Sequence, residues 1–322
     1  MHAPLREEHT PDPLCCGCGL RPRRINPSND GLRLAIVVLF LLPAVLGLSG
    51  CDRIQGWFAG KPDIAFAPYG DTYASKPDFA QVEYAYPIPR QELVKVTPPY
   101  LAGLNQEELD QLYARLGSGP IPNGAFDGEI VFPRGSSGKL RAAEIIGGLK
   151  GLGVNFKGKM LETAGETLWK GKVFYRDQKV LRNRIQDLAA LRPVIGPGDI
   201  PKIDVDGKDA WLLFPAKLYC GQSLIDSRRE SIIIDYAFTD ELHGYRENPD
   251  FLAGRRGLKV RDEIRMVRPG LYLGRAYMDH AFILNFVLYS KDLDHAGRAE
   301  FEIGQIKDDC WSGTQKRVVA SR

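Results

Sequence analysis

The sequence predicts a mainly β, α+β fold: an antiparallel barrel or strongly curved sheet with a few covering helices. Three observations carry this. From Trp169 onward the chain falls into seven or eight short apolar runs broken at regular intervals by turns. Two of those breaks, Pro269-Gly270 and Asp279-His280, are tight-turn pairs that make the last three runs an antiparallel meander. The final run is apolar on both faces, with Phe282, Leu284, Phe286 and Leu288 on one side and Ile283 and Val287 on the other. A strand buried on both faces needs a barrel interior on one side and helices on the other.

The chain opens on a charge-free stretch. Leu34 to Gly50 is seventeen residues long, is preceded by Arg33 and contains Pro43. A spanning helix needs about 20 apolar residues, so this reads as a signal peptide, with an uncleaved anchor helix as the other reading. Its end, Leu48-Ser49-Gly50-Cys51, resembles the bacterial lipobox. The resemblance implies acylation of the Cys51 sulfur, cleavage before it, and a cell-envelope protein held at a membrane by lipid and facing the periplasm. Asp52 resembles the inner-membrane retention signal of enterobacterial lipoproteins. Residues 1–50 are therefore a leader. Its Cys15-Cys16-x-Cys18 is metal-like in spacing but lies in a Pro/Arg-rich segment that cleavage discards.

Removing the leader's five basic and four acidic residues takes the net charge from +3 to +2, too balanced for nucleic acid held by phosphate charge. Hydrophobic residues make up 44% of the chain, which excludes a disordered protein. Cys220 and Cys310 are then the remaining cysteines, either a disulfide of an exported protein or two buried thiols.

Residues 51–100 read as a tether followed by an extended packing arm, rich in Pro, Gly, Ala and Tyr. Residues 101–322 read as one barrel domain. Leu104 to Leu116 is its clearest helix. Leu109, Leu112, Tyr113 and Leu116 share helical spacing, Asn105 with Glu108 forms a capping-box pattern, and Gly117 ends it. A turn and strand follow from Ile121 to Phe132, then a helical insertion over about 139–168. The strands are Gly171–Tyr175, Val180–Ile185, Trp211–Tyr219, Ser231–Phe238, Val260–Val267, Leu271–Met278 and Ala281–Tyr289, with a long loop at residues 239–259.

No nucleophile elbow, zinc-protease, phosphate-loop or dinucleotide pattern is present. His243, His280 and His295 fall in loops or at strand ends, so no metal and no cofactor are read. The chemistry-bearing residues are polar ones inside strands: Asp235, Asp262, Arg265, Arg275 and Asn285. Alternation puts Asp262 on the face of Val260 and Ile264, and Asn285 on that of Ile283 and Val287. Buried carboxylates need partners, and Arg265 and Arg275 supply them. This set is either a structural ion pair inside the barrel or the polar end of an apolar cavity, with Trp169 beside it.

Trp169-Lys170-Gly171-Lys172-Val173-Phe174, preceded by Asn123-Gly124-Ala125-Phe126-Asp127-Gly128, resembles the two-part pattern of the calycin-like GXWXG/DUF4334 proteins. Ser231 to Tyr236, Asp262 to Arg265 and Tyr272 to Gly274 follow in the same order. Phe126 stands where the pattern has tryptophan, and the insertion is additional. The resemblance implies a lipocalin-like barrel with an apolar cavity and no catalytic residue. Three functions follow: a lipid-anchored barrel binding a small hydrophobic or amphiphilic molecule, a barrel hydrolase or isomerase using an interior carboxylate and arginine, or an assembly lipoprotein docking through residues 52–117.

Overall fold

A computed structural model describes residues 60–70, 77–135, 169–196 and 199–313. The leader, Cys51, Asp52 and the 139–168 insertion lie outside the described residues. Nine strands form: β1 (Gly124–Val131), β2 (Trp169–Tyr175), β3 (Val180–Ile185), β4 (Ile203–Val205), β5 (Lys208–Gln222), β6 (Glu230–Asp235), β7 (Val260–Arg268), β8 (Leu271–Met278) and β9 (Ala281–Tyr289). All but β4 make a closed, eight-stranded antiparallel barrel in chain order, sealed by β9 pairing with β1. The short β4 pairs only with the start of β5. Closure leaves no free edge, so the barrel needs no other device against edge pairing.

The predicted meander is present. Gly270 adopts φ +67 in the turn between β7 and β8, and Asp279 adopts φ +55 between β8 and β9, the conformations such turns require. Gly171 sits at φ +128, and a Cβ there would lie 2.0 Å from the Phe126 carbonyl oxygen of the neighbouring strand. Only glycine fits this irregular point in the β2–β3 ladder.

The stretch expected to be an extended arm holds three short helices from residue 79 onward. These are α1 (Phe79–Ala85), α2 (Arg90–Lys95) and α3 (Pro98–Gly103). The Asp78 carboxylate accepts from Ala80 N–H at 2.8 Å, and Thr97 caps α3. Prolines set helix starts here rather than excluding helices, since Pro98 is the first residue of α3. Next comes α4 (Gln106–Arg115), which starts in the expected capping box of Asn105 and Glu108, the Asn105 N–H donating to Glu108 Oε2 at 2.8 Å. A final helix, α5 (Lys291–Glu302), follows β9. None of the helices among the described residues is long and apolar enough to cross a membrane.

Two cores result. Inside the barrel, one end is filled by Phe126, Phe174 and Tyr272 in edge-to-face contact at 5.4 and 5.8 Å, with Leu181, Met266 and Leu288 around them. Outside, Leu101, Leu109, Leu112, Tyr113 and Leu116 cover Val267, Leu271, Leu273 and Val287. This explains the two-sided apolar pattern of β9. The Cys220 and Cys310 sulfurs are bonded, tying β5 to the segment after α5. That segment continues across the barrel end, where Gly119 N–H donates to Asp308 and Ile121 N–H to Asp309.

Helix α4 is also locked to the barrel wall by charge. Arg275 Nη1 lies 2.5 Å from Asp110 Oδ1, and both side chains are buried. Burial opposes the guanidinium charge, but Asp110 and Tyr277 hold it firmly protonated. Asp110→Ala leaves that cation buried and unpaired, and urea unfolding is expected to show a loss of about 3–5 kcal/mol. Adding Arg275→Met to Asp110→Leu should restore most of it, because an apolar pair of similar volume removes the orphaned charge.

Candidate functional site

The half of the barrel away from the Phe126 cluster contains a cavity of about 310 Å³. Its walls are apolar: Ile130, Ile185, Ala276, Leu284 and Phe286 from the strands, and Leu252, Ala253 and Leu258 from the β6–β7 loop. Phe214 reaches it because β5 bends there. The residue has φ +52, and its N–H donates out of the ladder to Asp250 Oδ1 at 2.6 Å. Gly128 makes room for Trp169, whose ring would lie 2.4 Å from a Cβ at that position.

One polar cluster interrupts these walls, formed by Lys172, Asn183, Tyr236 and Asp262. Strand register assembles it. Lys172 on β2 is directly opposite Asn183 on β3. Asp262 on β7 is opposite Ile234 on β6, two residues before Tyr236. Alternation then turns all four side chains inward. Lys172 Nζ donates to Asn183 Oδ1 at 2.9 Å, to Tyr236 OH at 2.7 Å and to Asp262 Oδ2 at 2.9 Å. Asn183 Nδ2 donates to Tyr236 OH at 2.9 Å and to the Phe214 carbonyl at 3.1 Å. Tyr236 OH lies 3.3 Å from Asp262 Oδ2, and Trp169 Nε1 donates to Asn183 Oδ1 at 2.9 Å. The ammonium also sits 5.3 Å from the Phe286 ring centroid and 5.5 Å from that of Trp169, within cation–π range.

Both ends of the cluster are electrostatically fixed. Burial works against the Lys172 ammonium, but Asp262 and Tyr236 outweigh it and hold it above the usual lysine value. Burial pushes the Tyr236 phenol up to about 12; Lys172 pulls it back and Asp262 pushes it further. At neutral pH the cluster is an ion pair bridged by neutral hydroxyl and amide groups.

Of the residues singled out in the sequence, Trp169 and Asp262 line this cavity. The others do not. Arg265 projects from the outer face of β7, opposite to Asp262, as three residues of strand require. It donates to Ser231 Oγ at 2.9 Å and to the Tyr113 carbonyl at 3.1 Å under α4. Arg275 and Asn285 are also on the outer face, where Asn285 Nδ2 donates to Gln106 Oε1 at 2.7 Å. Asp235 is outside as well, accepting from Tyr219 OH at 2.8 Å. The Asp262/Arg265 pair imagined for acid–base chemistry is therefore split across the barrel wall. Among the described residues the close group of metal-type ligands is Cys220, Glu230 and Cys310, and its sulfurs are bonded to each other.

Lys172, Asn183 and Tyr236 are the members not anticipated. Lys172 shares a strand face with Phe174 but also with Lys170, so the sequence alone does not mark it as interior. The cluster makes stability pH-dependent in one direction. The unfolded phenol titrates near 10 and the folded one near 12, so the folded state holds its proton longer and loses stability as pH rises through that window. The Tyr236 contribution to this fall is about 2–3 kcal/mol over the full window. Lys172, also raised, acts in the same direction. Tyr236→Phe should cost about 1–3 kcal/mol at neutral pH. It should also flatten the decline between about pH 10 and about pH 12, read by urea unfolding at each pH.

No protein-family model matches the chain, and no curated protein does. A crystal structure of a protein from Thermomonospora curvata is similar at 17% identity over 58% of this chain and 88% of that one, with a TM-score of 0.31.

Proposed function

We propose that this is a lipid-anchored cell-envelope protein whose barrel binds one small, largely apolar molecule. The observation that carries the reading is the cavity itself. Most of an eight-stranded interior is side-chain-filled, yet one half keeps about 310 Å³ lined by apolar groups with a single polar cluster. That volume is at the lower end of ligand pockets, which characteristically pair apolar walls with a few fixed polar groups. The lipobox-like Leu48-Ser49-Gly50-Cys51 supplies the anchor and places the barrel beside a membrane from which such a molecule partitions. The likeness to the calycin-like GXWXG/DUF4334 proteins agrees with this use of the fold.

Acid–base catalysis fits less well. Its arginine partner is on the other side of the wall, and Asp262 is already engaged by Lys172. Docking through residues 52–117 is also less favoured, because the apolar residues of α3 and α4 are consumed by the barrel exterior.

Ala276 lines the cavity between Asp262 and Leu284 in the ladder. Ala276→Trp fills the space at a stability cost of about 1–3 kcal/mol. It should abolish uptake of n-decanol by the purified chain, followed by native mass spectrometry, while leaving the Tm within reach of the parent. Unchanged uptake would place the ligand elsewhere. Cys51→Ser should move the protein from the membrane fraction to the soluble fraction and end incorporation of an alkyne-labelled fatty acid.

A further inference from the structure

The hydrogen-bond inventory of the polar cluster restricts the ligand. Lys172 has three N–H donors, and they go to Asn183, Tyr236 and Asp262. Asn183 has two, given to Tyr236 and to the Phe214 carbonyl. The single donor of Trp169 goes to Asn183 Oδ1, and that of Tyr236 is directed at Asp262 Oδ2. No side-chain donor remains. On the acceptor side, Asn183 Oδ1 receives two bonds, the Tyr236 oxygen receives two, and Asp262 Oδ2 is shared by Lys172 and Tyr236. Asp262 Oδ1 has no hydrogen-bond partner among the described residues, and Asp262 lines the cavity.

The site therefore offers a ligand an acceptor and nothing to accept from. Its charge is already balanced, Lys172 against Asp262 at 2.9 Å. An ionic head group of either sign would bring an uncompensated charge against apolar walls, at a desolvation cost. A carboxylate would also face Asp262 Oδ1 with no donor to hold it. We infer that the ligand is an uncharged amphiphile carrying a hydroxyl, an alcohol or a phenol, whose O–H donates to Asp262 Oδ1 while its hydrocarbon part lies against Ile130, Leu252, Leu284 and Phe286. This rests on the reading of the cavity as a ligand site and narrows it, excluding fatty acids.

The test is a matched series on the purified full-length chain: n-decanol, n-decanoate, n-decylammonium and n-decane, followed by native mass spectrometry and tryptophan fluorescence titration. Decanol should bind about tenfold or more tightly than the carboxylate, the ammonium or the alkane, the magnitude of one hydrogen bond to a charged acceptor. The double variant Lys172→Met/Asp262→Leu replaces the ion pair by apolar groups of similar size, and its thermal unfolding reports that the barrel still forms. In it the alcohol should lose its advantage over the alkane, with alkane binding kept. Decanoate or decylammonium binding as tightly as decanol overturns the inference while leaving the cavity a ligand site. So does an alcohol preference that survives in the double variant. Failure of all four probes overturns the ligand-site reading itself.

Discussion

The pairing of β1 with β9 is the constraint on which the remaining structure hangs. Five residues of β1, Asp127 to Val131, meet Tyr289 to Asn285 and turn a meander into a closed tube. Once eight strands are closed, the diameter is set, and the interior is just wide enough to be filled by side chains or to hold one small molecule. Which of these happens is decided by residue size along the tube. Phe126, Phe174 and Tyr272 fill one half. In the other half Ala253 and Ala276 stand where larger residues would close the space. The cavity is thus a consequence of closure plus two alanines.

Closure also accounts for what the amino-acid pattern reveals of the fold. The tight turns at Pro269-Gly270 and Asp279-His280 fix three strands to within a residue of their observed limits. They are local signals, carried by residues that determine backbone shape on their own. The helices between residues 79 and 103 are harder to read. Each is six or seven residues long, too short for a periodicity to register, and prolines at or just before the starts of α2 and α3 mask the helical signal. Asp78 and Thr97 were the usable signs, being cap residues immediately before each start. The three-residue pairing of β4 with β5 is too short for an apolar pattern to register, and Ile203 and Asp204 are exposed.

The site was legible in parity and illegible in direction. Alternation separates Asp262 from Arg265 and groups Arg275 with Leu273, but it cannot say which face is the interior when both are apolar. In β7 to β9 both faces are buried, one by the barrel and one by α4. The pattern predicts these polar residues to face inward, because a barrel interior is the buried place that it implies. The exterior under α4 is equally dry: Arg265, Arg275 and Asn285 are each 1% exposed or less. Had α4 been read for its polar residues as well as its leucines, Gln106 and Asp110 would have announced partners on the sheet face it covers. Lys172 was overlooked for the opposite reason. Within Trp169-Lys170-Gly171-Lys172-Val173-Phe174 it reads as the solvent side of a strand, and only the register with Asn183 shows that it is not.

The choice of cation at the two buried sites follows from their geometry. Arg265 meets acceptors spread around its planar fork: Ser231 Oγ and the carbonyls of Tyr113, Asp226 and Arg229. Four acceptors at the rim of a plane suit a guanidinium. Inside the barrel, the acceptors are three, converging on one point from β3, β6 and β7, and they suit the compact three-donor ammonium of Lys172. An arginine there would carry five donors into a place with acceptors for three and leave the excess buried without partners. The lysine is fully spent by its own neighbours, and so it anchors Asp262 Oδ2 with no N–H left over for the cavity it lines. The other carboxylate oxygen, Asp262 Oδ1, accepts no hydrogen bond from the described residues, and its residue lines the cavity beside an ion pair whose charges cancel. The electrostatic character of the cavity is therefore set within its own wall, by a cation whose three donors are all taken before anything enters.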